Sequence, residues 1–152
     1  MNTTIKRGAL IVFEGADGVG KSSISKDIAT RIEESGRSTL HYAFPGSEEK
    51  TVGKLVYEVH HDKKSYQNIS KTSLQALHIA AHIDAIHRKI IPALDSGVTV
   101  ILDRFWWSTY VYGIVDNVDA LVLKALIKAE RLVWGDTKKR CCFPDRSRLS
   151  AP

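Results

Sequence analysis

Cysteine is scarce in this chain: Cys141 and Cys142 are the only two, and they are adjacent. Neighbouring cysteines rarely pair with each other, and two thiols fall short of a four-ligand zinc site. Neither a disulfide scaffold nor a zinc module is therefore expected, and the usage fits a reducing, cytoplasmic setting. No apolar run approaches the ~20 residues that cross a bilayer, so no membrane span is expected. The opening Met1-Asn2-Thr3-Thr4-Ile5-Lys6-Arg7 has basic residues but no apolar stretch behind them, and it does not read as an export leader. Internal repeats and low-complexity stretches are also missing. What remains is a chain of 152 residues, 43% hydrophobic and 26% charged, enough for one globular domain with its own core.

An acidic excess is lacking too. The formal net charge is +5, which alone would suit a polynucleotide. Much of it sits in the last stretch, where Lys138, Lys139, Arg140, Arg146 and Arg148 face only Asp136 and Asp145. The body is mildly basic, which an anionic nucleotide explains without any nucleic acid.

Glycine, by contrast, is gathered where chemistry needs it. Gly15-Ala16-Asp17-Gly18-Val19-Gly20-Lys21-Ser22 fits the phosphate-loop pattern G-x-x-x-x-G-K-[ST]. An apolar strand-like run, Ala9 to Phe13, precedes it. Helical spacing follows it, with Ile24, Ile28, Ala29 and Ile32 on one face. Glycines let successive backbone N–H groups converge on phosphate oxygens, and a helix N-terminus adds partial positive charge. Lys21 is expected to reach the transferring phosphoryl group and Ser22 to meet Mg²⁺. Gly15, Asp17, Gly18, Val19, Gly20, Lys21, Ser22 and Ser23 are the expected nucleotide-binding positions.

Strand and helix signals alternate along the chain, which predicts an α/β fold: a P-loop-type parallel sheet with helices on both faces. Strands are expected near 9–14, 38–44 and 98–102. Helices are expected near 20–35, 51–60, 70–94 and 118–133, the third with an apolar face of Leu74, Leu77, Ala81, Ile83, Ile86 and Ile90. That long helix is a candidate dimer face. His78 and His82 lie on it at i, i+4, without the glutamate of a zinc motif, and read as surface or dimer-face residues. The P-loop core is placed at 1–134. Residues 135–152 read as a basic, disordered tail, with the sheet incomplete at the C-terminus.

A second site is expected where the β-branched run 98–102 ends in Asp103-Arg104. Ligands of such sheets bind outside the carboxyl ends of the strands. Asp103 is a candidate for the metal with Ser22, and the planar guanidinium of Arg104 suits a phosphoryl group.

Here a family resemblance becomes specific. Phe13-Glu14-Gly15-Ala16-Asp17-Gly18-Val19-Gly20-Lys21-Ser22 resembles the P-loop of thymidylate kinases, F-E-G-x-D-G-x-G-K-[ST]. Asp103-Arg104-Phe105-Trp106-Trp107-Ser108 resembles their D-R-[YFH]-x-x-S motif. Phe44-Pro45 followed by Gly53-Lys54-Leu55 resembles their F-P…G-K-L segment. The resemblance covers about 8–134 and implies ATP- and Mg²⁺-dependent phosphorylation of a nucleoside monophosphate, dTMP to dTDP. It implies catalytic roles for Lys21, Arg104 and Asp17. Acceptor binding falls to Asp17, Phe44, Arg104, Ser108 and Tyr112, and metal binding to Ser22 and Asp103. It also supports a homodimer.

Three positions depart from the family pattern. Gly46-Ser47-Glu48-Glu49 stands where an arginine usually grips the acceptor phosphate. Ile83 stands where a base-reading arginine is expected, and Gly18 where some members carry a catalytic arginine. No lid-like segment follows residue 134, so the chain reads as truncated before the lid. The alternatives are a nucleotide-binding fragment with impaired turnover and a related P-loop kinase with another acceptor. A GTPase is disfavoured because no N-K-x-D occurs.

Overall fold

In the computed structural model, which describes residues 7–134 except 63 and 65, three strands form one parallel sheet. They are β1 (Leu10–Phe13), β2 (Thr39–Ala43) and β3 (Thr99–Asp103), in the spatial order β1-β3-β2. β3 lies in the middle and every one of its residues is buried, as a β-branched apolar run in a parallel sheet should be. The register sets Phe13 and Ala43 level with Asp103. The carboxyl ends of all three strands therefore open at one edge. The chain leaves β1 for β2 and returns to β3 between them, making the crevice over β1 and β3 the topological switch point.

The two sheet faces have different neighbours. Val100 and Leu102 share a face with Leu10, Leu40 and Tyr42, and this face packs on Ile86, Ile90 and Leu94. The opposite face, with His41 and Ile101, lies toward α1 (Lys21–Glu34). The expectation of helices on both faces holds. Along α1, however, the buried line is Lys21, Ser25 and Ala29, while Ile24 is half exposed. The first turn of α1 faces the loop before it rather than a core.

Three helix starts follow from their caps. Thr51 accepts from Lys54 N–H at 3.1 Å to open α2 (Val52–His61), and Ser70 accepts from Ser73 N–H at 3.0 Å to open α3 (Lys71–Ala85). Asp119 accepts from Leu121 N–H at 2.7 Å to open α6 (Ala120–Val133). Each side chain satisfies a donor that the first turn leaves over.

The single helix expected over 70–94 is instead interrupted. α3 runs into a π-helical turn at Ile86–Ile90, where Ile91 N–H reaches Ile86 C=O, and then into the short α4 (Ile91–Asp95). Pro92 explains the break: it has no N–H for the Arg88 carbonyl, and its ring crowds that position. The expected apolar face is also displaced. Ala81, Ile86 and Ile90 of that face are buried, but Leu74, Leu77 and Ile83 only partly so, and the buried line adds Gln75, Ile79, His82 and Leu94. From Ile86 onward this line meets the sheet; before it, Gln75 and His82 line a cavity, where polar side chains are tolerated.

One helix has no counterpart in the sequence expectations. α5 (Trp106–Val115) is built from Trp-Trp-Ser-Thr-Tyr-Val-Tyr-Gly-Ile-Val, a composition with strand propensity that tertiary packing overrides. The tail expected over 135–152 lies outside the described residues. Among those residues no helix is long and apolar enough to cross a membrane.

Candidate active site at the carboxyl edge of the sheet

The phosphate loop follows β1 directly. Gly18 and Gly20 adopt φ of 79° and 84°, left-handed values that cost a glycine least. Gly20 is the residue before α1, and Lys21 begins the helix. The Lys21 ammonium, largely buried, donates to the Ala16 carbonyl across the loop. Val19, Ser22 and Ser23 stay open on the outside of this turn. The loop thus presents backbone N–H groups, one held cation and a hydroxyl at a helix N-terminus, a ready anion site.

β3 brings the second motif beside it. Ser22 Oγ donates to Asp103 Oδ2, while Asp103 Oδ1 is buried without a partner. A hydroxyl and an unsatisfied carboxylate oxygen are hard donors, which fits Mg²⁺. Arg104 carries φ of 70°, unusual for a side-chain-bearing residue. That backbone turn swings the guanidinium across the P-loop, where it donates to Asp17 and, at 3.2 Å, to Ser108 Oγ. Tyr112 Oη donates to the other Asp17 oxygen at 2.7 Å. The Tyr112 hydrogen bond first, and the Arg104 charge second, hold the Asp17 carboxyl below its ordinary range. The same hydrogen bond, with partial burial, pushes the Tyr112 phenol up.

Glu14, absent from the expected site residues, links the two motifs. Its Oε1 accepts from Phe105 N–H at 2.8 Å and from Ser108 N–H at 3.3 Å, and its Oε2 accepts from Ser108 Oγ at 2.5 Å. A carboxylate from the end of β1 therefore caps α5, a helix 91 positions further on. The sequence signal was its place inside the P-loop motif; its partners were beyond local reading.

A cavity of about 380 Å³ opens from this edge. Asp17, Arg104, Ser108 and Tyr112 line its mouth, and Phe44 and Phe105 its wall. Phe44 precedes a cis Pro45, and Gly53 of α2 packs so closely there that a Cβ would sit 2.1 Å from the Pro45 carbonyl oxygen. This contact explains the Phe-Pro…Gly spacing. The far end is lined by Gln75, His60, His78 and His82.

Of the two α3 histidines, His82 is buried and His78 partly so. His82 is 2% exposed and its Nδ1 lies 3.0 Å from Oε2 of the fully buried Glu130 on α6. His82 rather than Ile83 lines the cavity. His78 Nε2 lies 2.8 Å from His60 Nε2, and burial, followed by the charges of His82 and His60, pushes His78 down to about 3. Among the described residues no group of three His, Cys, Asp or Glu side chains gathers to hold a metal.

The acidic pair after Phe44-Pro45 also differs from expectation. Glu48 pairs with Lys89 and, at 3.7 Å, with Arg88; Glu49 lies 2.8 Å from Lys54. Neither lines the cavity. Basic partners on α2 and the π-turn neutralise the charge expected to oppose an anion.

The comparisons with known proteins agree with this arrangement. The family model for thymidylate kinase matches residues 13–129. Thymidylate kinase of Chlamydia muridarum is 36% identical over 104 residues, 67% of this chain and 48% of that protein. Thymidylate kinase of Chlorobium luteolum is 35% identical over 121 residues, 78% and 54% of the two chains. The chain spans about half the length of the curated relatives it matches. The crystal structure of thymidylate kinase from Ehrlichia chaffeensis superposes with a TM-score of 0.69, covering 81% of this chain and 65% of that one; at 24% identity it speaks for the fold. P-loop, strand end and cavity wall all fall within the matched span, and the chain belongs to the thymidylate kinase family.

Proposed function

We propose that this chain carries the nucleotide-handling core of a kinase that transfers the γ-phosphoryl group of ATP to a nucleoside monophosphate, dTMP to dTDP. That core falls within 1–134. The observation that carries the reading is the junction of the two sites. Arg104 and Asp17 belong to the phosphate-loop cluster and also line the cavity. A donor on the loop and an acceptor in the cavity would meet at one guanidinium.

The geometry supports the following roles. Gly15, Gly18, Val19, Gly20, Lys21, Ser22 and Ser23 cradle the donor phosphates, with Lys21 turning from the Ala16 carbonyl toward them. Ser22 and Asp103 would hold Mg²⁺, which when bound neutralises phosphate charge. Asp17 and Tyr112 meet the acceptor's sugar, Phe44 walls its base, and Ser108 keeps Arg104 in place. An oxygen of the acceptor phosphate attacks the γ-phosphorus, and the bond to the β–γ bridging oxygen breaks to release ADP. The nucleophile is already an anion, so no general base is needed; positioning and charge stabilisation carry the catalysis. A homodimer through the 70–94 helix belongs to the same proposal, supported by Leu77 and Ile83, which the monomer leaves partly exposed.

The test is ATP-to-ADP turnover with Mg²⁺ against a panel of nucleoside monophosphates, with Lys21→Ala as control. Turnover with dTMP that vanishes in the variant is the expected result. Lys21-dependent ATP binding without turnover on any acceptor would reduce the chain to a nucleotide-binding unit.

A further inference from the structure

Gln75 is 3% exposed, lines the cavity, and leaves its Oε1 without a hydrogen-bond partner. A buried amide oxygen in that state costs free energy, and native structures rarely keep one without use. It shares a helix face with His78 and His82, at i+3 and i+7. Those two are engaged elsewhere: His78 Nε2 with His60, and His82 Nδ1 with Glu130. Gln75 thus brings an unpaired amide oxygen to the lining of the cavity.

We propose that Gln75 is a specificity-determining residue that reads the edge of the acceptor base, an inference that rests on the function proposed above. A primary amide offers an acceptor and donors side by side. The matching ligand edge carries an N–H next to a carbonyl, as the imide of thymine does with N3–H and O4. The Gln75 Oε1 accepts from N3–H and its amide donates to O4. Lined up this way, the base lies against α3 while the sugar and phosphate extend to Asp17, Tyr112 and Arg104 at the mouth.

Calorimetric titration of wild type, Gln75→Leu and Gln75→Glu with dTMP and with 2-deoxyribose 5-phosphate tests this. Loss of a bidentate base contact predicts dTMP binding 10- to 100-fold weaker in Gln75→Leu. Gln75→Glu should weaken it too, because a carboxylate keeps the acceptor, loses the donor and places charge beside O4. Binding of the baseless sugar phosphate should stay the same in all three. Removing an unpaired polar atom should leave the unliganded midpoint of Gln75→Leu unchanged or higher. dTMP binding within twofold of wild type in Gln75→Leu, or a parallel loss of sugar-phosphate binding, would overturn the role of Gln75. Wild type that binds no nucleoside monophosphate would overturn the proposed function instead.

Discussion

The two ends of the cavity are made in different ways. At the mouth, two contiguous motifs supply the charged groups: Gly15 to Ser22 bends by glycine geometry, and Asp103-Arg104 arrives in register with Phe13, with Ser108 and Tyr112 following from α5. At the far end, α3 contributes Gln75, His78 and His82, α2 contributes His60, and Glu130 of α6 backs His82, side chains that meet only in the fold. The mouth presents backbone donors and permanent charge, whereas the far end presents imidazoles and an amide. Phosphate recognition is generic and suits a fixed backbone. Base recognition is particular, and the far end proposed for it depends on long-range packing.

The largest effect should come from breaking the far end. Glu130→Ala removes the buried hydrogen-bond partner of His82 and leaves a cavity in its place, which together cost about 3–5 kcal/mol. Chemical denaturation should show that loss, while ATP affinity at the mouth, measured on the folded protein, stays near wild type. Equal losses at both ends would mean that the cavity is one energetic unit rather than two.

The mouth has the converse signature. Lys21→Ala removes the cation expected to turn toward the donor phosphates, so ATP affinity should fall about 100-fold, or roughly 2.7 kcal/mol. Stability should hardly change, since Lys21 in this state donates only to the Ala16 carbonyl. Titration with ATP beside thermal unfolding checks both halves of the statement.

The contrast also explains what was legible in the sequence. The phosphate loop, the three strands and the helix over 118–133 rest on local chemistry, so residue order revealed them. α5 was hidden because Trp106, Trp107 and Tyr110 favour strands, and because its cap, Glu14, comes from another element. The histidines looked like surface residues because Glu130 and His60, which explain their burial, are distant in sequence. Glu48 and Glu49 looked hostile to an anion for the same reason, their partners Lys89 and Lys54 lying elsewhere. Pro92 was in plain view; its consequence, a π-turn that ends α3, was the one local signal passed over.

Acid should act on the far end first. His78 titrates near 3 in the fold against about 6.5 in the unfolded chain, so between those values the unfolded state binds more protons. Stability from this residue is present above pH 6.5 and falls as pH drops through 6.5 toward 3. Between pH 7 and 5 it should lose about 2 kcal/mol. The depressed His41, shifted by burial, adds a slope of the same sign; that of Asp17 lies at lower pH. Comparing wild type with His78→Phe therefore isolates the residue, and parallel stability–pH curves for the two would sink the assignment.

The smallest expected effect tests how the two ends are joined. Glu14 sits at the end of β1 yet its carboxylate holds the first turn of α5, whose Ser108 side chain in turn touches Arg104. Glu14→Gln keeps one carbonyl acceptor but removes the charge and one acceptor oxygen. The α5 N-terminus then loses part of its cap and part of its favourable interaction with the helix dipole, about 1 kcal/mol together. Denaturation should register that shift, and hydrogen exchange should place it in the first turn of α5 while the P-loop helix stays protected. If the added exchange instead spread through α3 and α6, Glu14 would be supporting the base end as well. The cap would then be the strut on which both halves of the cavity rest.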